Sequence, residues 1–167
     1  MNKIIIFNYF FLAILAFIFP FYYGFRGIFP LDSFLIFNGG YNILNGFYPF
    51  KDYWTITGPL LDYIQYFIFL FFDINWKTYV LHASIINVLV TLISFFFFCK
   101  LGLNYKYSLL YCAGISVLGY SQTGTPFMDH HAFMFTFISS LYLLLAVKFE
   151  KKIYWHLSSV FLVFSFF

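Results

Sequence analysis

Charged side chains are scarce in this sequence. They make up 9% of its 167 residues, whereas a soluble domain has about 25%. The mean hydropathy is correspondingly high, at +0.86. The composition therefore excludes an ordinary soluble domain and predicts an all-α fold, a polytopic bundle of membrane-spanning helices.

A clustered basic face is also missing. The nine Lys and Arg residues give a net charge of +3 but stand mostly singly along the chain, which excludes a nucleic-acid partner. Cysteine is scarce as well. Cys99 and Cys112 fall within apolar runs, and neither has a second Cys or a His at metal-ligand spacing, so both are predicted to be small core residues.

The apolar runs predict the membrane spans. The first, from Ile4 to Tyr23, exceeds the roughly 7 to 15 residues of a signal-peptide core and precedes no small-residue cleavage site, so it is predicted to be a retained span. The last is still apolar at Phe167, and we expect the chain to be the N-terminal part of a longer protein. The predicted spans are residues 4–23, 79–99, 107–126, 130–147 and 153–167.

One further apolar run, from Leu60 to Phe72, decides the topology. Its thirteen residues reach only about 20 Å as a helix, too short to cross a membrane, and Asp62 would enter the lipid. If this run lies on the surface instead, residues 24–78 form one outer loop and the N-terminus is cytoplasmic. Six of the nine basic residues then obey the positive-inside rule: Lys3, Lys100, Lys106, Lys148, Lys151 and Lys152.

The outer loop is predicted to contain two amphipathic helices at the bilayer surface. The first follows Asp32 and has apolar residues on one face and asparagines elsewhere, although Gly39, Gly40 and Gly46 weaken it. The second begins at Pro59, a favoured first helical residue. It carries Asp62 and Gln65 on one side.

Two carboxylates, Asp32 and Asp129, lie on the same side of the membrane in this topology. Each precedes a helical run, so helix N-capping is an alternative role for both. Asp129 begins the sequence DHHAF, and Thr136 and Ser140 follow on the same predicted span. His130 and His131 are about 100° apart on a helix, and both cannot point at one ion without distortion.

Polar residues also mark the span 79–99, where Ser84, Asn87 and Thr91 form a stripe. Such a stripe indicates either interhelical hydrogen bonds or the wall of a cavity. Three basic residues lie on the outer side in this topology, contrary to the positive-inside rule: Arg26, Lys51 and Lys77. They are candidates for binding an anionic phosphate, with simple headgroup contacts as the alternative.

Two segments together resemble a known family. An Asp after the first span followed by GGYNILNGFYPFKDYWTITGPLLDYI is similar to the first outer loop of the GT-C glycosyltransferases, and TPFMDHHAFMFTFISSLYLLL to their second. This family includes the protein O-mannosyltransferases and the aminoarabinose transferases of lipid A. The resemblance covers most of residues 1–150. The chain departs from the family pattern in two respects. Ser33 follows Asp32, whereas many relatives have Asp-Glu at this first motif. Relatives also have more spans.

The resemblance implies an enzyme of the cell membrane that moves a sugar from a polyprenyl-phosphate donor to a lipid, glycan or protein acceptor on the non-cytoplasmic face. Asp32 matches the catalytic base and Asp129 the second catalytic carboxylate. Asp129 and His130 are then candidate ligands for a divalent cofactor, Mg²⁺ or Mn²⁺. The candidate substrate-binding residues are Arg26, Lys51, Asp52 and Lys77.

Two other functions remain alternatives. Polar stripes also line the paths of transporters and flippases, although these tend to break helices in matched halves, and no matched half occurs in this chain. A non-catalytic membrane subunit is the third possibility, and it would need no paired outer carboxylates. Further spans and a soluble tail in the full reading frame would favour the transferase.

Overall fold

The computed structural model describes residues 3–27, 34–120 and 124–166, with side chains from residue 5 onward in the first helix. The predicted all-α fold is confirmed, because the described chain is helical apart from turns and one isolated bridge between Pro49 and Tyr53. The helices are α1 (Lys3–Tyr23), α2 (Leu35–Leu44), α3 (Pro59–Phe71), α4 (Trp76–Leu101), α5 (Tyr105–Leu118), α6 (Met128–Phe149) and α7 (Lys152–Phe164).

Three helices in the described part of the chain are long and apolar enough to span a membrane: Ile5–Tyr23 of α1, α4 and α6. They identify a membrane protein. α5 covers only part of the predicted span 107–126, because it ends at Leu118 and Gly119 follows it. Its 14 residues rise about 21 Å, less than the roughly 30 Å of a hydrocarbon core.

Buried polar side chains join the long helices. The Asn87 amide nitrogen on α4 donates to the carbonyl oxygens of Ala16 on α1 and Ser116 on α5, each at 2.8 Å. Ser139 on α6 donates to the carbonyl oxygen of Ser158 on α7 at 2.7 Å. At Asn87 the polar stripe therefore makes interhelical hydrogen bonds rather than forming a cavity wall. Thr136 and Ser140 of α6 are exposed.

The two ends of the bundle are distinct. At one end, the indole nitrogen of Trp76 donates to the carbonyl oxygen of Gly24 at 2.7 Å. We call this the site end. At the opposite end, Lys100 donates to the Tyr154 hydroxyl at 2.7 Å and Lys148 to the carbonyl oxygen of Leu101. The segment between α1 and α4 therefore leaves and returns at the same end, away from these two lysines.

α2 and α3 form a tightly packed pair at the site end. A methyl group on Gly39 would overlap the Asp62 carboxylate, and one on Gly40 would overlap the Gln65 side chain, so the glycines let the two helices approach closely. The polar residues of α3 face inward, whereas Phe67, Leu70 and Phe71 are exposed. A helix with its polar side inward and its apolar side outward suits a bilayer surface.

The separation of the two ends predicts the labelling pattern of single cysteines. Lys51→Cys and Lys106→Cys, each in a background with Cys99 and Cys112 replaced by Ser, are expected to react with a membrane-impermeant maleimide from opposite sides of the membrane. Lys51 lies in the segment that returns at the site end. Lys106 is the second residue of α5, next to Tyr105, which contacts Asn8 of α1. Right-side-out and inside-out vesicles provide the measurement.

Lys148→Cys is the matched control, because it lies at the same end as Leu101 and must label from the side that labels Lys106→Cys. Labelling of the Lys51 and Lys106 variants from the same side only would show that the topology is wrong.

Candidate functional site

A cavity of about 490 Å³ opens at the site end, between the loop before α3, the start of α6 and the end of α7. Its apolar lining includes Phe50, Ile56, Leu61, Phe135 and Phe164. The polar lining consists of Thr55, Thr57, Asp129, His131 and Ser165. Hydroxyls, an imidazole and one carboxylate on aromatic walls make a site suited to a small polar ligand with apolar surfaces.

Asp129 is the ionisable side chain that the cavity presents most openly. It is exposed and is the second residue of α6. The residue at the N-cap position is Phe127, and no side chain caps the helix. The Asp129 carboxylate makes no hydrogen bond to a described residue, so N-capping does not explain it.

A smaller cavity, of about 130 Å³, adjoins the first. Both cavities are lined by Ile56, Thr57, Met128 and Asp129. The far wall of the smaller one is formed by Leu35 and Ile36. The predicted base, Asp32, lies outside the described residues. Leu35, three residues after it, shares this cavity with Asp129.

The other predicted substrate-binding residues make local contacts. Asp52 accepts a hydrogen bond from the Tyr48 backbone nitrogen at 2.8 Å, and the Lys51 ammonium lies 5.2 Å from the centre of the Tyr48 ring. Arg26 donates to the Tyr22 hydroxyl at 3.0 Å. Lys77 is exposed. None of the four is among the described residues that line the two cavities with Asp129.

The predicted metal ligands face different spaces. Asp129 lines the large cavity, whereas His130 lines an apolar groove of about 500 Å³ between α5 and α6. The structure thus does not bring this pair to one ion. Within the ranges described, no group of three or more His, Cys, Asp or Glu side chains could hold a metal. The expected divergence of His130 and His131 is confirmed, since His131 turns toward the large cavity.

Asp62 is a buried carboxylate that was not predicted to be a site residue. It accepts hydrogen bonds from the Tyr53 hydroxyl at 2.9 Å and the Thr57 hydroxyl at 3.3 Å. Thr57 in turn contacts the Thr55 hydroxyl at 3.2 Å. Asp62 therefore holds the loop that lines the cavity. Burial raises the pKa of Asp62 and that of Tyr53.

A second unpredicted feature is a chain of buried side chains from three helices. Gln65 on α3 contacts His82 on α4 at 2.8 Å, and His82 contacts His131 on α6 at 3.3 Å. All three are buried. They are far apart in the sequence, so no spacing of residues indicates the cluster.

Comparison of the chain with protein-family models, with curated proteins and with solved structures gave no match.

The raised pKa of Asp62 predicts that Asp62→Asn leaves thermal stability at neutral pH unchanged or increases it. The amide carries no charge to bury, and its oxygen still accepts a bond from Tyr53. Asp62→Leu removes an acceptor that both hydroxyls share, leaving Tyr53 with the Gly39 carbonyl oxygen and Thr57 with Thr55. Losing these two bonds is expected to cost about 1–3 kcal/mol in total. The measurement is intrinsic-fluorescence melting of the detergent-solubilised protein.

The pH dependence of the melting temperature also tests the raised pKa of Asp62. When folding raises the pKa of a carboxyl group, the protonated group stabilises the fold at any pH below the unfolded-state pKa. This stabilisation is lost as the pH rises through the folded-state pKa. The wild-type melting temperature should therefore fall over that window relative to Asp62→Asn. Asp73→Asn, at an exposed position, is the control and should follow wild type. A pH profile of Asp62→Asn identical to wild type would contradict the assignment.

Proposed function

We propose that this protein is a membrane glycosyltransferase of the GT-C type, which moves a sugar from a polyprenyl-phosphate donor to an acceptor at the non-cytoplasmic membrane surface. The main support is the cavity of about 490 Å³ at the site end, where the Asp129 carboxylate has no hydrogen-bond partner among the described residues. The sequence motifs that resemble the family lie around this cavity. GPLL begins α3, and TPFMDHH begins α6.

The catalytic roles follow from the chemistry of the transfer. The acceptor hydroxyl must lose a proton as it attacks the anomeric carbon, and a positioned carboxylate accepts that proton. We assign this role to Asp32, which the resemblance matches to the family's base. The wall that Leu35 and Ile36 share with Asp129 supports this assignment, because these residues follow Asp32 closely in the chain.

Asp129 is assigned to orient the donor or acceptor from the other wall. Its unpaired oxygens can accept hydrogen bonds from sugar hydroxyls, and the hydroxyls of Thr55 and Thr57 are close to the same space. The family's Mg²⁺ or Mn²⁺ is not assigned to Asp129 and His130, since the two side chains line different cavities. Binding of the donor phosphate is proposed for Arg26, Lys51 and Lys77, which lie outside the two cavities. Asp52 would hold the turn that carries Lys51 through its bond from the Tyr48 backbone nitrogen.

Access from the bilayer is supported by the exposed side chains around the cavity. Phe47, Tyr48, Trp54 and Ile56 are each at least half exposed in the loop before α3. Aromatic side chains favour the boundary between lipid and water. A prenyl chain in the bilayer could therefore deliver its phosphate and sugar at the height of the cavity. The positive-inside rule then places the N-terminus in the cytoplasm and the site end outside.

The assignment of Asp32 is tested by Asp32→Asn in the full-length protein. Asn resembles Asp in size and caps helices equally well, so membrane insertion and melting temperature should change little. The amide accepts no proton at neutral pH, and transfer should fall about 100-fold to 10,000-fold. The measurement is transfer of radiolabelled sugar in proteoliposomes from a panel of polyprenyl-phosphate sugars.

Asp73→Asn provides the matched control, since it makes the same change at an exposed position and should leave transfer intact. Asp129→Asn should lower transfer as well. Near-normal transfer by the Asp32→Asn protein would exclude the catalytic role, because the capping alternative predicts that insertion and activity both survive.

A further inference from the structure

The backbone at Phe50 has an unusual conformation. Its φ is +63°, in the left-handed region, which a bulky residue seldom adopts because its Cβ crowds the neighbouring carbonyl oxygen. Pro49 precedes it, and the Lys51 backbone nitrogen donates to the carbonyl oxygen of Tyr48 at 3.3 Å. Phe50 is thus the third residue of a β-turn, where a positive φ usually selects Gly or Asn. Glu150, the other non-glycine residue with positive φ in the described chain, ends α6, where this conformation is common.

Hydrogen bonds hold the turn in this conformation. The Tyr48 backbone nitrogen donates to the Asp52 carboxylate at 2.8 Å, and the Asp52 backbone nitrogen donates to the carbonyl oxygen of Tyr48 at 2.9 Å. The Phe50 nitrogen donates to the carbonyl oxygen of Tyr53 at 2.8 Å. The Tyr53 hydroxyl in turn donates to Asp62 on α3 at 2.9 Å. Such strain persists only where the surrounding structure imposes it, and it concentrates at ligand-binding and active sites.

The Phe50 side chain lies on the wall of the large cavity. Its ring centre is 5.5 Å from that of Trp54, with the ring planes inclined at 78°. The side chain is nevertheless 57% exposed, so much of the ring is free to meet a ligand. Thr55, Thr57 and Asp129 line the same cavity. An aromatic ring, two hydroxyls and a carboxylate therefore border one space.

This combination matches the surface of a sugar ring. A pyranose has a face made mainly of C–H groups, which are weakly positive and suit the negative face of an aromatic ring. Its hydroxyls lie around the edge and need polar partners. We propose that Phe50 is a platform against which a sugar ring stacks in the large cavity, while Thr55, Thr57 and Asp129 bind its hydroxyls. The inference rests on the proposed function for the nature of the ligand, and it adds a specificity-determining residue to that site.

Anchoring in the membrane does not account for the strain at Phe50. Phe47, Tyr48 and Trp54 in the same loop are also exposed, and none of them has a positive φ. An aromatic ring can occupy the boundary between lipid and water from any of these unstrained positions. A ring that stacks on a bound ligand must instead stand at one place on the cavity wall. Fixing it there before binding lowers the entropy cost of binding.

The experiment is saturation-transfer NMR of the protein in phosphatidylcholine nanodiscs, titrated with a panel of methyl glycosides of hexoses and pentoses. In wild type, the protons on one face of the bound sugar should receive the most saturation. Phe50→Ala removes the ring and keeps the strained backbone, whereas Phe50→Gly removes both. Each should bind the preferred glycoside about 2- to 10-fold more weakly than wild type. Phe50→Tyr keeps an aromatic face and should bind as wild type does.

Thermal melting separates the role of the ring from that of the turn. Phe50→Gly should melt above Phe50→Ala, because glycine adopts a positive φ without strain. Weaker sugar binding by Phe50→Gly is then not explained by an unstable turn. Phe47→Ala is the matched control. Phe47 is 50% exposed in the same loop but does not line the cavity, so this variant should bind sugar as wild type does.

Three results would overturn the platform: wild-type affinity in Phe50→Gly, equal losses in Phe50→Ala and Phe47→Ala, or no saturation transfer to any glycoside from wild type. Equal losses would indicate that both rings act on the membrane. The transferase proposal is tested separately by transfer from polyprenyl-phosphate sugars. Glycoside binding that depends on Phe50 in a protein without transfer activity would reject the transferase and keep the platform.

Discussion

The structure depends on one constraint, that polar groups in an apolar medium must find partners within the protein. At several positions the chain meets it by turning a polar side chain into the protein and leaving aromatic and aliphatic side chains outside. Asn87 shows this in the bundle, where one amide joins α4 to α1 and to α5. Asp62 and Gln65 show it in α3, where they are fully buried while Phe67 and Phe71 are exposed. The cavity is bounded by elements that these contacts hold in place.

Much of this fold could be predicted from the sequence, because long apolar runs have few structural solutions in a membrane. The helices at residues 4–23, 79–99 and 130–147 coincide with α1, α4 and α6, and the run from Leu60 to Phe72 is a short helix, α3. The end of α5 was less predictable. The predicted span 107–126 runs past this point into YSQTGTP, a stretch that is mostly small and polar. α2 forms despite Gly39 and Gly40, since their close approach to α3 outweighs their weak helix propensity.

Only single residues of the candidate site could be predicted from the sequence, because a contact between distant residues leaves no motif. Asp129 is the acidic residue in the first turn of an apolar helix, and it lies on a cavity wall. The contact of His82 with Gln65 and His131 was not predictable, since it depends on how three separate helices are rotated about their axes. Helix rotation is set by packing, and here by two glycines on a fourth helix. The catalytic role of Asp32 stays a prediction, because that residue lies outside the described ranges.

The contact between Trp76 and Gly24 has a consequence for how the protein can vary. It fixes together the two ends of a segment of about fifty residues, so the bundle is closed whatever lies between them. Closing a longer loop costs little, only about 0.6 kcal/mol for each doubling of its length. Insertions in its exposed turns therefore cost little, whereas α2 and α3 stay fixed by their packing on α4. A chain can thus keep this bundle and change the exposed turns that it presents at the site end.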